Sequence, residues 1–559
     1  MHFENFSTAT YAPAGYLNDN SLEKIGEDID KAARYVKLDK IYLETYRADI
    51  LIGREKMEAI MSIFSERGYK LSGGITTATA GTLMGAMCYT GEKTRKLLGE
   101  VAYYTAELFD EVMLDDFYFT NCRCEECLKA KGDRDWASFR LELMHDISEN
   151  IILKNCKAAR ADVNVIIKYP NWYESFASCG YNLRQDAPVY DMVYTGTETR
   201  DQTYTQQNLA RYLSYFLPRL MENIKPGKNG GGWYDLFECS LEDYLQQVYL
   251  TLFSKCHEQM MFCLPLLSGL PAYTAAAGAV YDDFDGVIGQ LGNPVGVACY
   301  EPYHYVSNPS GERHLYDFLG MLGIPLEPYP EYPSSAPVVL LSEAAARDGE
   351  IVGKIKASLL AGGSVFVTSG LYKALQGEIE DIVPVFITDK RVTVNKFKSN
   401  GFGMNNGAFE TSRTDITFPH VDYNTNDVWM LSAAMTSHYS HPLLICATYG
   451  AGRFYVLTIP DSPDSLYDLP AGVLTRLRLE MNLPVTLECG GGIGLFTYDN
   501  NMFILQSFLT RPEKILVHLR AGGELELVSG FGRFTLSKIS DVLYEIYLQP
   551  GKNSVFRIK

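Results

Sequence analysis

Short apolar segments alternate with amphipathic helices from about residue 38 to about residue 300, and this alternation restricts the fold more than any other pattern. Parallel β/α units produce it, because a strand that pairs in parallel with the previous one needs a long crossover, usually a helix. Eight strand-like segments within roughly 260 residues predict an α/β fold with an N-terminal (β/α)8 TIM barrel. They are Lys40–Tyr46, Tyr69–Ile75, Leu83–Tyr89, Glu111–Phe117, Val163–Tyr169, Tyr190–Thr195, Gly232–Phe237 and Met260–Pro265.

The pattern changes after about residue 310. Strand-like segments at Val338–Ser342, Gly362–Ser369 and Gly452–Thr458, with a helix through Leu360, predict a smaller open α/β domain. The strand-rich tail from about Leu487 predicts a small β-sandwich. We therefore predict three domains: a catalytic barrel at 1–308, an α/β domain at 309–485 and a β-sandwich at 486–559.

Composition limits the function. The chain has 50 Lys and Arg residues against 68 Asp and Glu residues, and no basic run that could form a face for nucleic acid. No apolar run reaches the ~18 residues of a spanning helix, and the N-terminal residues lack the pattern of a secretory signal. We expect a cytoplasmic protein without membrane contact, with a trimmed secreted form as the open alternative.

The fourth predicted strand leads into the densest group of reactive residues. Asp115 and Asp116 stand at its end, and carboxylates at a strand end indicate bond-breaking chemistry. Cys122, Cys124 and Cys127 follow as C-x-C-x-x-C. The other cysteines are scattered, so we expect reduced thiols and a metal site rather than a disulfide framework.

Polar and aromatic side chains gather where the other predicted strands end, which is the reactive end of a barrel enzyme. Structural ion pairs and rim packing are the alternative for each of them. The candidates for substrate binding are Glu44, Arg47, Lys168, Trp172, Tyr173, Arg200 and Trp233.

Several carboxylates at one barrel mouth could cleave a glycoside, a reaction in which one carboxyl group protonates the leaving oxygen and a second attacks the anomeric carbon or activates water. Asp116 is our candidate nucleophile, although strand alternation does not decide between it and Asp115. Glu198 is the preferred acid/base, because Gly196 before it lets the backbone turn sharply. Asp235 is the alternative partner, and retention versus inversion stays open.

The layout resembles the family 42 glycoside hydrolases, the barrel β-galactosidases. That resemblance rests on the barrel, the following domains and the C-x-C-x-x-C motif, and it places Cys88 as a fourth ligand. It implies a structural zinc held by Cys88, Cys122, Cys124 and Cys127, because four thiolates make a closed tetrahedral site. It also implies a glutaminase-like second domain and a homo-oligomer, either a dimer or a trimer.

The sequence departs from that family at the fourth strand. Family 42 has Asn-Glu where this chain has Asp115-Asp116, and the Glu is the acid/base. Asp-Asp-Phe is more similar to the family 27 and 36 α-galactosidase clan, which implies a nucleophile on strand four and an acid/base on strand six. The sugar and the anomer are therefore not inherited from the β-galactosidases.

The second domain lacks the residues of a working glutaminase. The turn Val365–Leu371 has no Cys nucleophile, and Ser369 lacks the G-x-S-x-G frame. The glycine-rich stretches match no phosphate-binding pattern, so we expect no organic cofactor.

We therefore predict an exo-acting, retaining glycosidase with a carbohydrate substrate. One alternative is a catalytically inactive barrel that binds carbohydrate. The other is an enzyme with a catalytic zinc, which four available thiols disfavour.

Overall fold

The computed structural model describes residues 2–80, 85, 87–303, 311–399, 409–530 and 535–559. The chain divides into two compact units. The first comprises Met1–Gln290 with Tyr303–Pro309, and the second comprises Leu291–Pro302 with Ser310–Lys559. None of the described helices combines the length and apolarity needed to cross a bilayer.

Eight parallel strands of the described chain close into a barrel in the first unit, which confirms the predicted TIM barrel. Closure is complete because β1 pairs in parallel with both β2 and β8. The two-residue strand Ile50–Leu51 adds an antiparallel hairpin to β2. The barrel strands are β1 (Ser7–Ala12), β2 (Lys40–Arg47), β3 (Lys70–Ile75), β4 (Glu111–Leu114), β5 (Asn164–Tyr169), β6 (Met192–Gly196), β7 (Asn229–Asp235) and β8 (Glu258–Phe262).

The prediction was wrong about one strand. Residues 83, 84 and 86 of the predicted segment Leu83–Tyr89 lie outside the described residues, and Met87–Tyr89 form loop and turn. The missing strand is β1, whose sequence Ser-Thr-Ala-Thr-Tyr-Ala contains too few large apolar residues to be recognised. Ala9 and Tyr11 of this strand belong to the buried layer inside the barrel.

Helices follow the barrel strands and cover them. The longest, Pro271–Gln290, packs against Leu241–Phe253, which begins with a capping box between Ser240 and Asp243. A π-helical turn, Ser148–Leu153, and a 3-10 turn, Tyr173–Ser175, also occur. The other α-helices of this unit are Ala14–Asp19, Leu22–Ala32, Arg54–Ser65, Glu92–Leu108, Glu125–Lys131, Trp136–Ile147, Lys154–Ala159, Phe176–Cys179, Leu183–Val189, Leu213–Ile224 and Leu264–Gly269.

The barrel interior has an apolar, largely aromatic layer between two charged ends. Its buried side chains are Ala9, Tyr11, Tyr42, Met113, Ile166, Tyr194, Trp233 and Met260. At the N-terminal strand ends, Lys40 Nζ lies 2.9 Å from a carboxylate oxygen of Glu111 and 3.0 Å from one of Glu258. The second charged group lies at the C-terminal strand ends.

The second unit begins with a nine-stranded mixed sheet. Five strands run parallel, in the order Leu326–Tyr329, Val297–Tyr300, Val338–Leu341, Ser364–Thr368 and Gly452–Leu457. Four antiparallel strands continue it: Ser440–Tyr449, Trp429–Met435, Val385–Lys398 and Glu410–Tyr423. Its helices and 3-10 turns are Leu315–Gly320, Glu343–Arg347, Ile351–Leu360, Ser369–Ala374, Pro463–Asp468 and Ala471–Glu480.

The tail of the second unit forms a β-sandwich, as predicted. One sheet contains Pro294–Val295, Ile493–Tyr498, Met502–Ser507, Asn553–Ile558 and Leu525–Gly530. The other contains Val485–Glu488, Glu513–Leu519, Leu543–Leu548 and Thr535–Ser540. Alternate residues of both sheets, including Leu495, Phe503, Val517 and Ile546, share one core.

Two glycines of the helix Pro271–Gln290 provide a test of its packing. A Cβ at Gly278 would collide with the carbonyl oxygen of Tyr35, whereas one at Gly286 would meet open space. We expect Gly278→Ala to destabilise the protein by ~1–3 kcal/mol and to lower the apparent melting temperature. The matched control Gly286→Ala should stabilise the helix by up to ~1 kcal/mol. Equal melting temperatures for the two variants would contradict this packing.

Candidate active site

The barrel brings the predicted carboxylates together at the C-terminal end of its strands. Asp115 and Asp116 follow β4, Glu198 lies two residues beyond β6, and Asp235 is the last residue of β7. Lys168, on β5, stands between them. Because all the barrel strands run parallel, their C-terminal residues meet at one end.

Lys168 joins the carboxylates of two strands. Its Nζ donates to Asp116 Oδ2 at 2.6 Å and to Glu198 Oε1 at 3.3 Å. Asp115 Oδ1 lies 3.7 Å from the same nitrogen. The side chain of Lys168 is 1% exposed, so these interactions are shielded from water.

Asp115 is held as an ionised carboxylate. Its Oδ2 accepts from Arg47 Nη2 at 2.7 Å and from the Thr76 hydroxyl at 3.0 Å, and its Oδ1 accepts from the Asp116 N–H at 2.7 Å. Burial opposes ionisation, but Lys168 and Arg47 outweigh it and hold the pKa of Asp115 below its ordinary value. Asp115 thus orients the turn that carries Asp116.

Asp116 and Glu198 behave differently. Burial, with the negative charges of Asp115 and Glu198, raises the pKa of Asp116 to about 7 against the attraction of Lys168. Burial also raises the pKa of Glu198, helped by Asp235 and opposed by Lys168 and Arg200. Glu198 Oε2 is buried and has no hydrogen-bond partner among the described residues. Both carboxyls therefore keep a proton to a higher pH than ordinary carboxyls do, and they compete for it.

Two further predicted residues lie in ion pairs. Arg200 donates to Asp235 from Nε at 3.0 Å and from Nη2 at 2.6 Å. This bidentate pairing occupies both carboxylate oxygens of Asp235.

Glu44 and Arg47 form another saturated pair, with Arg47 Nε 2.9 Å from both oxygens of Glu44. Glu44 also accepts from the Tyr11 hydroxyl at 2.9 Å and from the Ala14 N–H at 2.6 Å, and it shares the single Thr76 hydroxyl proton with Asp115. Its hydrogen-bonding capacity is used within the protein.

The three predicted aromatic residues occupy different environments. Trp233 is 3% exposed, its ring stacks on Phe262 with centroids 5.0 Å apart, and Lys168 Nζ lies 4.0 Å from its centroid. Tyr173 is buried beside Phe216. Trp172 is half-buried and makes an edge contact with Phe119 at 6.1 Å. Trp233 thus forms a wall of the carboxylate cluster.

Sequence reasoning missed Thr76, Asn171 and Tyr181. Thr76 bonds both Glu44 and Asp115, and its place directly after β3 is a signal that could have identified it. Asn171 donates to the Glu198 carbonyl at 2.7 Å, and Tyr181 donates to the Asp116 carbonyl. Asn171 and Tyr181 act from the chain after β5, and Tyr181 lies too far along it for a strand-end pattern to identify it.

The four predicted thiols converge. All the Sγ atoms of Cys88, Cys122, Cys124 and Cys127 lie within 4.8 Å of one another, and Cys88 Sγ is 3.6 Å from both Cys124 Sγ and Cys127 Sγ. A tetrahedral zinc with ~2.3 Å bonds needs sulfur atoms ~3.8 Å apart, whereas a disulfide needs ~2.05 Å. The Cys127 N–H is the main cause that lowers the pKa of Cys124 to about 7, which favours a thiolate. This donor set fits zinc.

Comparisons with known proteins agree with this fold. Residues 1–278 match the family model described as "Probable glycosyl hydrolase, catalytic domain", and residues 292–462 match "Uncharacterized protein SSO3021, second domain". The chain is 24% identical over 501 residues to "Uncharacterized protein SSO3021" of Saccharolobus solfataricus, with 82% of each chain covered.

Two solved β-galactosidases share the fold. Those of Rahnella sp. R3 and Bacillus circulans sp. alkalophilus each superpose with a TM-score of 0.66 at 12% identity, over 100% of this chain and 99% of the other. Gan42B, a solved family 42 β-galactosidase, also shares the fold, with a TM-score of 0.63 at 10% identity over 100% of this chain and 99% of the other. This match confirms the predicted resemblance to family 42 for the fold. The family match over residues 1–278 confirms the predicted enzyme class, a glycosidase.

Gly196 gives a test of how Glu198 is positioned. A Cβ there would lie 2.6 Å from Glu198 Oε2 and 3.1 Å from the Asn171 nitrogen, so Gly196→Ala must displace the carboxylate. Displacing a reacting group by about 1 Å costs ~100-fold, and we expect a loss of that size in aryl-glycoside hydrolysis. Gly53→Ala, where a Cβ meets open space, is the control. Unchanged activity in Gly196→Ala would show that the Glu198 position is unimportant.

Proposed function

We propose that this protein is a retaining, exo-acting glycosidase in which Asp116 is the nucleophile and Glu198 is the acid/base. The supporting observation is that both carboxyls bind one ammonium group, Lys168 Nζ, at 2.6 and 3.3 Å. Exo action on a terminal sugar is supported by the likeness to the β-galactosidases.

The shared ammonium limits the distance between the two carboxyls. Asp116 Oδ2 and Glu198 Oε1 lie 2.6 and 3.3 Å from Lys168 Nζ, so these two oxygens are at most about 6 Å apart. Retaining glycosidases have carboxyls ~5–5.5 Å apart, and inverting ones ~6.5–9.5 Å, because a water must fit between. The limit applies to one oxygen of each carboxyl, and it places that pair of oxygens below the inverting range, which supports retention.

The proposed reaction has two steps. In the first, an Asp116 oxygen bonds to the anomeric carbon while the glycosidic C–O bond breaks, and Glu198 gives its proton to the leaving oxygen. In the second, Glu198 takes a proton from water, the water oxygen bonds to the anomeric carbon, and the bond to Asp116 breaks. The residues end as they began, and the net reaction is hydrolysis.

Asp235 and Asp115 are less suited to these roles. Arg200 occupies both oxygens of Asp235, while Arg47, Thr76 and a backbone N–H occupy those of Asp115. A carboxylate so bound must first break those hydrogen bonds before it can attack or donate a proton. Glu198 has a buried oxygen with no such partner among the described residues.

We also propose that the four thiolates bind a structural zinc. When bound, zinc would cross-link the loop after β3 to the chain after β4, because Cys88 lies in the former and the other ligands in the latter. Four sulfur ligands leave no open position, so the metal would stabilise and not react. The glutaminase-like character of the second unit, homo-oligomerisation and a cytoplasmic location stay predictions from the sequence.

Asp116→Asn and Glu198→Gln test the catalytic pair. Each should lower kcat/KM on the responsive member of a panel of α- and β-linked aryl glycosides by ~10²–10⁴-fold, because each removes a reacting carboxyl. Azide should restore activity to both Asp116→Ala and Glu198→Ala and yield glycosyl azides. In Asp116→Ala azide replaces the nucleophile, and in Glu198→Ala it replaces the attacking water, so the two products should have opposite anomeric configurations.

Asp201→Asn is the matched control, because Asp201 lies on the same loop as Glu198 and its side chain accepts hydrogen bonds from Thr203 and Tyr204 of that loop. It should keep near wild-type activity. Full activity in Asp116→Asn or Glu198→Gln would contradict the assignment. A folded wild type that binds sugars without turning over any member of the panel would favour the inactive carbohydrate-binding barrel.

Metal analysis tests the thiol site. We expect about one zinc per chain in protein purified under reducing conditions. Cys88→Ser should weaken zinc binding by at least ~100-fold, because even outer-sphere substitutions cost ~10–100-fold. Cys446→Ser, a half-buried cysteine outside the cluster, should keep the metal. The proposal would be contradicted if the wild type contained no metal and its melting temperature changed with neither added zinc nor a chelator.

A further inference from the structure

The ammonium group of Lys168 is enclosed by partners from the protein. Of its three N–H donors, two reach carboxylate oxygens of Asp116 and Glu198, at 2.6 and 3.3 Å, and Asp115 adds an ion pair at 3.7 Å. The Trp233 ring, with its centroid at 4.0 Å, provides a cation–π contact. The side chain is 1% exposed, so very little of it is open to a sugar hydroxyl.

The charges around Lys168 are unbalanced. Among the described residues, five carboxylates (Glu44, Asp115, Asp116, Glu198 and Asp235) accompany three cations (Arg47, Lys168 and Arg200). Tyr11, Tyr181 and Trp233 complete the surroundings and bring no formal charge. Full ionisation would leave two uncompensated negative charges in a buried cluster, which is strongly unfavourable. At least one carboxyl therefore keeps a proton.

Geometry determines where that proton resides. Glu44 and Asp115 share the guanidinium of Arg47. Asp235 is paired with the guanidinium of Arg200. Asp116 and Glu198 therefore compete for the ammonium of Lys168. The ammonium lies closer to Asp116, at 2.6 Å against 3.3 Å for Glu198. Coulomb attraction rises as the distance falls, so the ionised form is favoured at Asp116.

We infer that Lys168 is a positioning residue, which orients Asp116 as an ionised nucleophile and leaves the proton of the pair on Glu198, rather than a substrate ligand. This inference rests on the proposed retaining mechanism. Lys168 acts only through the two carboxyls and touches no reacting atom of the sugar. The raised pKa values of Asp116 and Glu198 agree with one proton held between them.

The test is the pH dependence of kcat/KM in Lys168→Met, measured on the glycoside that the wild type hydrolyses. Loss of the positive charge raises the pKa of Asp116, which then stays protonated and inactive up to a higher pH. Glu198 also holds its proton to a higher pH. Both limbs of the profile should move upward by about one pH unit or more, and kcat should fall. Lys168→Arg, which keeps the charge, should return the limbs toward their wild-type positions.

Lys40→Met is the matched control. Lys40 is another lysine inside the barrel, bound to two carboxylates and 5.1 Å from the centroid of the Tyr42 ring, but at the opposite strand ends. Its substitution should lower stability while both pH limbs stay in place. A shift as large as that of Lys168→Met would overturn the inference.

The outcomes separate this inference from the proposed function. A Lys168→Met variant with a raised KM, unchanged kcat and unchanged pH limbs would make Lys168 a substrate ligand and overturn the inference alone. Active Asp116→Asn or Glu198→Gln would instead overturn the proposed function.

If Lys168→Met does not fold, infrared spectroscopy of the folded wild type gives a second test. The difference spectrum between wild type and Glu198→Gln near neutral pH should contain a protonated carboxyl band. Its absence would overturn the inference.

Discussion

The site depends on the ion pairs of Lys168, because they join the C-terminal ends of β4 and β6 across β5. Without this ammonium group, the three carboxylates that surround it would repel one another, and burial makes each of their charges unfavourable. The barrel uses the same solution at its other end, where Lys40 joins Glu111 and Glu258. The aromatic layer between the two ends keeps water out, so the interactions at both stay strong.

Parallel topology explains what could be predicted from the sequence. The rule that barrel strands carry their reactive residues at their C-terminal ends needs only the strand order, so Asp116, Lys168 and Glu198 could be grouped before any geometry was known. The choice between Asp115 and Asp116 could not be made. It was argued from the alternation of side chains along a strand, but β4 ends at Leu114 and both carboxylates lie beyond it. There, hydrogen bonds from Arg47 and Thr76 to Asp115 decide the arrangement.

The roles of the aromatic residues were beyond the reach of sequence reasoning for a different reason. A tryptophan at a strand end suits a sugar platform and a barrel wall equally well. The glycines before Trp233 decide between them, because a Cβ at Gly231 would lie 2.5 Å from both the Glu258 carbonyl and the Tyr194 hydroxyl. This close approach lets β7 pack tightly inside the barrel, where the indole ring meets Lys168. Close packing of this kind depends on three strands at once, and no local pattern records it.

The departure from family 42 at the fourth strand is consistent with this geometry. Aspartate is one methylene shorter than the glutamate of that family, so the Asp116 carboxylate stays near β5, where Lys168 Nζ bonds it at 2.6 Å. The ammonium stabilises the ionised form of Asp116 against the burial that raises its pKa, and the ionised form is the one that a nucleophile needs. In the proposed mechanism the proton donor comes from another strand, β6, which carries the longer Glu198, with Gly196 giving it room. The proposed roles thus divide between the strands differently from those of family 42.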